Sequence, residues 1–248
     1  MGFEHATRAS QGARSYQEDA AEVRADADRL MAVLADGMGG HAGGALASGL
    51  ACKFFVHAFG TSSGEVGARL SEALDLANAA IAHETAENPS LSGMGCTLIG
   101  VAFGPDGVEW VSVGDSPLYL VRGGEIVLLN EDHSLAPEID KLAAAGRISW
   151  EAAMADPRRH VLRSALTGTE IEMVDRSRRS LALQPGDVVV LASDGIHTIS
   201  QTEIARLVSG AATPDAAADA LLAAVEAAAD AYQDNTTVVV VRVPPAPR

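Results

Sequence analysis

The stretch from Cys96 to Asn130, CTLIGVAFGPDGVEWVSVGDSPLYLVRGGEIVLLN, decides the fold. It holds four short runs rich in Val, Ile, Leu and aromatic residues: Cys96–Phe103, Val108–Val113, Leu118–Arg122 and Glu125–Asn130. Runs of that length and composition read as strands. Only short links built on Pro-Asp-Gly, Gly-Asp-Ser and Gly-Gly, of two to four residues, stand between them. Links so short join antiparallel neighbours, because a parallel crossover needs a dozen residues or more. Upstream, Leu30–Ala35 is a further apolar run, and Ala45–Phe59 reads as a helix apolar over much of its surface and so buried. Glu65–Glu87 is a more amphipathic helix, with Leu70, Leu74, Ala77 and Ile81 at spacings of four, three and four. Downstream comes a more polar stretch, His133–Gly168, with a helix over Pro137–Ala145. Strands return at Met173–Leu181 and Val188–Ala192, then helices at Gln201–Val208 and Pro214–Tyr232, then a last strand at Thr236–Val243. Strands grouped in the middle with helices on either side predict an α+β sandwich whose helices cover its sheets.

The composition removes several function classes. Of 248 residues, 18 are Lys or Arg and 33 are Asp or Glu, a formal charge of −15. Nucleic acid is excluded as a partner, since its phosphates demand cationic side chains to displace counterions. Apolar residues make up 48%, enough to bury a real core. No apolar run reaches the roughly 18 residues of a membrane span. The best candidate, Leu46–Phe59, is interrupted by Lys53 and His57. The first residues show no basic start followed by an apolar stretch, and they fit a myristoylation signal badly, with Thr7 one place late. Cys52 and Cys96 form no CxxC pair. A soluble, cytoplasmic protein is expected.

The acids sit where the strands stop. Asp36 ends LMAVLA, Asp115 follows VEWVSVG, Asp194 ends VVVLAS, and Asp234 precedes NTTVVVV. Carboxylates gathered at strand rims repel one another unless a cation lies between them, and hard divalent ions take such oxygens. Asp-Gly is also a common turn dipeptide, which is the reading for Asp106-Gly107; for Asp36 and Asp194 spacing leaves turn and ligand open. Two further features bear on the choice. In RSYQEDA, Arg14 stands four residues before Glu18 and Asp19, and on a strand Arg14 and Glu18 would share a face opposite Asp19. A guanidinium fork beside acids of this kind suits a phosphate. The glycines of DGMGGHAGG, Asp36–Gly44, let backbone approach a ligand closely.

Eight segments in order, RSYQEDA, VLADGMGGHAGG, GMGCTL, VSVGDSPLYL, NEDHS, HVLRSALTG, LQPGDVVVLASDGI and DNTTVVVV, resemble the metal-dependent Ser/Thr protein phosphatases of the PPM family, type 2C, in their bacterial single-domain form. The resemblance covers almost the whole chain. It implies one domain over residues 1–243, a four-layer α/β/β/α sandwich of two mainly antiparallel sheets flanked by helices, with a frayed tail at 244–248. It also implies a site for two Mn2+ or Mg2+ ions. Asp36 would bridge them, the Gly37 carbonyl would ligate one, and Asp194 and Asp234 the other. Glu18 would ligate directly or through water, with Asp19 in support. Asp115 with Asp194 would hold a third, weaker ion, and Arg14 would grip the phosphate. Residues 133–168 would form a flap that selects substrates. The implied activity is hydrolysis of phosphoserine and phosphothreonine in proteins by a metal-activated water, the implied partners are those phosphoproteins and a cognate kinase, and the expected state is a monomer that binds no membrane.

The physical logic agrees. Phosphate monoesters hydrolyse so slowly unaided that the site must lower the barrier greatly. Paired ions about 3.5–4 Å apart acidify and orient a water, and Arg14 would offset charge on the phosphoryl oxygens. Neither CKFFVHA nor CTLIGVA supplies the Cys-to-Arg phosphate loop of a thiol phosphatase. The chain departs from the family pattern at Gln17 (usually Asn), Cys96 (often Thr or Ser, here a buried apolar residue), Pro117 (commonly Arg) and Met38, where animal relatives carry His. The proton donor is thus unassigned, with His41 and His133 as candidates. GMGGHA also fits a dinucleotide fingerprint, but there is no acid near residue 57 and no parallel βαβ context. The alternative from another class is a catalytically silent module that binds phosphoproteins or a regulatory partner.

Overall fold

The run Leu30–Ala35 lies inside strand β3 (Arg29–Met38) and is buried on both faces, which explains its unbroken apolar character. A computed structural model describes residues 2–40 and 42–244; His41, Met1 and all of the expected tail but Pro244 lie outside the described residues. Around β3 stand β2 (Asp19–Asp26), β4 (Gly95–Cys96), β5 (Leu98–Gly104), β6 (Gly107–Val113) and the two-residue β9 (Asp175–Arg176). They form a sheet in the order β2-β3-β5-β6-β9, with β4 also paired to β3. The second sheet runs β1-β11-β10-β7-β8, from β1 (Glu4–Ser10), β7 (Leu118–Arg122), β8 (Glu125–Leu128), β10 (Val188–Ala192) and β11 (Thr236–Arg242). Every pairing of these strands is antiparallel, so no parallel βαβ unit supports dinucleotide binding.

Alternation along the strands builds three apolar layers. Met31, Val33 and Ala35 meet α1 (Ala42–Thr61) and α2 (Val66–Glu87) through Phe55, Leu70, Leu74 and Ile81. Their neighbours Leu30, Ala32 and Leu34 meet Leu118, Leu120, Val189, Leu191, Val239 and Val241 of the other sheet. On its outer side that sheet packs Val188, Val190, Val238 and Val240 against α5 (Gln201–Gly210) and α6 (Pro214–Ala227). The result is the expected four-layer sandwich. Two smaller helices, α3 (Ala136–Ala144) and α4 (Trp150–Met154), close on a separate cluster of Ile139, Ala143 and Ala153, within the segment read as a flap. No helix among the described residues is long and apolar enough to cross a membrane.

Four expectations need correction. The Gly-Asp-Ser link does not join neighbours; β6 and β7 belong to different sheets, and Gly114–Pro117 carries the chain from one to the other. Both strands are apolar on both faces, so their pattern does not say which sheet each enters. Met173–Leu181 is mostly irregular, pairing only at Asp175–Arg176 and through an isolated bridge from Leu181 to Val108, because Ser177–Ser180 supplies no apolar face. Helix α6 stops at Ala227, and Ala229 adopts a left-handed φ of 53° that ends the helical run before Tyr232. Arg14–Glu18 is a loop that precedes β2, so the strand geometry drawn for RSYQEDA does not hold. The edge strands β1 and β2 and the short α4 carry too little apolar signal to be read from sequence.

Gly100, in the middle of β5, has the Phe55 ring of α1 where a side chain would stand. Gly100→Ala would overlap that fully buried ring, whose neighbours leave no room to move. Urea unfolding is expected to show a loss of about 1–3 kcal/mol with an unchanged m-value.

Candidate active site

The acids converge because strands from both sheets end at one mouth of the sandwich. Asp36 lies near the end of β3, Asp115 follows β6, Asp194 follows β10 and Asp234 precedes β11. Asp19 opens β2 directly opposite Asp36, a pairing of like charges that a ladder does not favour on its own. A cleft of about 630 Å³ is lined by Arg14, Glu18, Asp36, Gly37, Asp115, Asp194 and Asp234. Thus seven of the eight expected site residues face one space. Asp19 does not line it and stands beneath, with one carboxylate oxygen accepting from the Ser193 hydroxyl at 2.8 Å.

Backbone and amide hydrogen bonds hold this rim. The Thr97 hydroxyl accepts from the Asp36 N–H at 3.1 Å, and the Thr97 N–H returns a bond to the Asp36 carbonyl at 2.9 Å. The Gly37 N–H donates to the Glu18 carbonyl at 3.1 Å. The Glu18 N–H in turn donates to the Asn235 amide oxygen at 2.8 Å, while the Asn235 amide nitrogen holds the carbonyls of Gln11 and Tyr16. Asn235, which sequence reading passed over, therefore ties the Arg14 loop to β11; its place beside Asp234 in DNTTVVVV was the available signal. Gln17 performs the amide role expected at its position, accepting from the Asp19 N–H and donating to the Ser10 carbonyl. Gly37 and Gly44 allow a close approach of chains: a side chain on Gly37 would overlap the carbonyls of Gly44 and Glu18, and one on Gly44 would overlap the Glu18 carboxylate. Cys96 is fully buried, as expected of a small apolar residue.

The cleft is electrostatically unbalanced. Burial first, then the neighbouring Asp194, Asp19, Asp115 and Asp234 charges, push Asp36 well above the usual carboxylate range. Burial followed by the Asp234 charge raises Asp194 as well. Burial lifts Asp115 to about 7, with Asp194 adding to it, and lifts Asp19 to about 6 against the hydrogen bond from Ser193. Cationic compensation at the cleft comes from Arg14, whose guanidinium contacts the Asp234 carboxylate at 2.5 Å. One oxygen each of Glu18, Asp19 and Asp194 is buried without a hydrogen-bond partner.

Orphaned hard oxygens and mutually raised acids fit divalent cations of the Mg2+ or Mn2+ class. No three His, Cys, Asp or Glu side chains among the described residues form a closed metal-holding group. The donors are gathered but open.

Of the two histidines expected as proton donors, His41 lies outside the described residues, and His133 is unsuitable. It is buried, its Nδ1 accepts from the Gly114 N–H at 3.2 Å, and burial lowers its pKa. The histidine that does line the cleft is His160, at the head of HVLRSALTG. That motif was read for its resemblance and its histidine was not singled out. Leu162, Arg163, Ser164 and Thr167 of the same segment also line the cleft.

A profile of the family described as protein phosphatase 2C matches residues 8–234. The chain is 37% identical over 194 residues to the serine/threonine protein phosphatase PstP of Mycobacterium tuberculosis, covering 77% of this chain. It spans only 36% of that relative's length. It is 31% identical over 237 residues to the serine/threonine phosphatase stp of Listeria monocytogenes, covering 92% of this chain and 90% of that one. Its fold matches the crystal structure of the PstP catalytic domain in complex with two manganese ions, with a TM-score of 0.81 and 32% identity over 98% of this chain and 99% of that one.

The raised acids have a consequence for stability in chelator. A carboxyl that binds its proton more tightly when folded contributes stability that is full below its unfolded value and lost as pH rises through its folded one. For Asp115 that loss begins above the unfolded value of about 3.9 and is complete just above pH 7. Below about 6.5, the unperturbed histidine value, the buried His133 and His197, both lowered by burial, begin to oppose it. Thermal unfolding in chelator is therefore expected to show Tm rising as pH falls from 8.5 to 6.5. Asp115→Asn should flatten the slope, and Mn2+ should raise Tm more at pH 8.5 than at 6.5.

Proposed function

The chain belongs to the protein phosphatase 2C family, and from that premise we propose that it hydrolyses phosphoserine and phosphothreonine in proteins with two bound Mn2+ or Mg2+ ions. The observation that carries the reading is the convergence of buried acids from both sheets on one cleft, with carboxylate oxygens left unpartnered. In this reading Asp36, the Gly37 carbonyl, Asp194 and Asp234 would hold the ions, with Asp36 shared by both. Glu18 completes the set with Asp19 behind it, and Asp115 with Asp194 offers a third, weaker position. When bound, such ions supply positive charge for the phosphate and acidify water.

The chain's own groups do the rest. Arg14 rests on Asp234 at 2.5 Å, a contact that a cation on Asp234 would weaken. Its guanidinium would grip phosphoryl oxygens in its planar fork and offset their charge as the ester bond breaks. Gly37, Gly39 and Gly40 keep side chains off the cleft floor, so a phosphorylated side chain can reach the acids. The segment from His160 to Thr167 lines the cleft and would meet the residues around the phosphate. A cognate kinase, a cytoplasmic location and a monomeric state complete the proposal. The charge of −15 leaves nucleic acid out of it.

Hydrolysis of a phosphothreonine peptide with Mn2+ is the test. Turnover should vanish in excess chelator. Asp194→Asn and Arg14→Ala should each lower kcat/KM by about 100- to 1000-fold, as removal of one charge-stabilising group does elsewhere, with Arg14→Lys in between. Folded, metal-loaded protein that turns over no phosphopeptide would instead favour the silent phosphoprotein-binding module. A peptide panel without preference for phosphoserine and phosphothreonine over phosphotyrosine would overturn the substrate class.

A further inference from the structure

A second cavity lies at the far end of β3 from the acids. Arg29, Leu30 and Met31 border it, some 5 residues or more from Asp36, or about 16–23 Å at the strand rise. The helix-facing side of the sheet outruns its helices there. Phe55 of α1 covers Gly100, and Phe59, one turn on, is the last aromatic side chain over the sheet. The Arg69 guanidinium lies 4.1 Å from the centre of the Phe59 ring and donates from one Nη to the Phe59 carbonyl at 2.7 Å. Beyond this pair opens a space of about 400 Å³, floored by Met31, Ala102 and Gly104.

Several of its charged groups lack a partner, and they are spread to opposite ends. The register sets Arg24, Met31, Ala102 and Glu109 in one row across β2, β3, β5 and β6. Arg24 contacts Glu22 at 2.5 Å, whereas Arg29, beside it, has no hydrogen bond or ion pair among the described residues. The Arg69 Nε is buried with no partner. At the other end of the row Glu109 faces no cation; burial and then the acids Glu65 and Asp106 raise its pKa. Arg24 and Arg29 thus stand on one side of an apolar floor, with Asp26 opposite Arg29, and the acceptors Glu109 and Asp106 stand on the other.

The span selects the occupant. Three strand spacings separate the Cα atoms of Arg24 and Glu109, about 14 Å. An α-amino acid carries both its charges on one carbon and cannot reach from end to end. A mononucleotide holds its phosphate and the far edge of its base at opposite ends of a flat body. We propose that this cavity binds a purine mononucleotide, with its phosphate toward Arg24 and Arg29, its base against the Arg69–Phe59 pair, and base N–H groups toward Glu109. Guanine is favoured, because its adjacent ring and exocyclic N–H groups match both oxygens of a carboxylate, while adenine presents a ring acceptor there.

Isothermal titration of GMP, AMP, guanosine and inorganic phosphate into the full chain in excess chelator tests this, with metal-dependent hydrolysis of the ester suppressed. GMP is expected to bind saturably, and AMP and guanosine at least about tenfold more weakly, the scale of one lost bidentate or charged contact. Glu109→Gln should erase the preference for GMP over AMP, and Arg29→Gln should weaken GMP. Gly104→Leu projects into open space from a backbone that needs no left-handed φ, so it should fold and block GMP. All three variants should keep phosphopeptide hydrolysis. Hydrogen exchange with GMP should slow in residues 24–31, 59–69 and 102–109. Absence of GMP binding at millimolar concentration, equal binding of AMP, binding unchanged in Gly104→Leu, or protection confined to the acidic cleft would each overturn the assignment.

Discussion

Asp19 and Asp36 face each other across adjacent strands, and Asp194 and Asp115 press on them from beyond, all with restricted access to water. Like charges so placed raise one another's affinity for protons, and only burial in a stiff frame keeps them together. The rest of the molecule can be understood as that frame. Its three apolar layers supply the cohesion, and its acids occupy the strand ends where those layers stop. The layer between the sheets changes from Leu30, Ala32 and Leu34 to the carboxylate of Asp36 along a single strand.

Holding the acids apart from their preferred solvent requires that their backbones be fixed. Thr97 clasps Asp36 from both sides, Ser193 accepts from the Thr237 N–H while donating to Asp19, and Asn235 binds the Arg14 loop to β11. These are small polar side chains buried with their bonds made, the condition under which burial is tolerated. The side chains they hold are left with orphaned oxygens, and that contrast marks where a cation belongs. Arg14 acts as a local counterion to Asp234 from a loop.

Much of this was legible in the residues. The bounds of α1, α2, α3, α5 and β10 came within a few residues, because apolar period and Gly or Pro punctuation act locally. The acids at strand ends were legible one by one, since Asp is costly inside a strand and frequent where one stops. What failed was of three kinds. Met173–Leu181 and Tyr232 showed that a β-rich or Ala-rich pattern does not fix its own length. The loop at Arg14–Glu18 was drawn as strand because a short polar segment carries no period. The proton-donor candidates His41 and His133 did not include His160, since a histidine's surroundings come from segments far away in the chain.

By itself the sequence determined the class of the fold, the family, and the residue types able to hold cations and phosphate, for these depend on local pattern and on motifs in order. Tertiary structure alone decided that Gly114–Pro117 crosses between sheets, that Asp19 lies beneath the cleft, and that His160 enters it while His133 is sealed in the core. It alone set Arg24, Met31, Ala102 and Glu109 in one row at the far end of the sheet. The reason is common to all of them. Which strands become neighbours is settled by packing two apolar faces at once, and a strand apolar on both sides carries no mark of the sheet it will join.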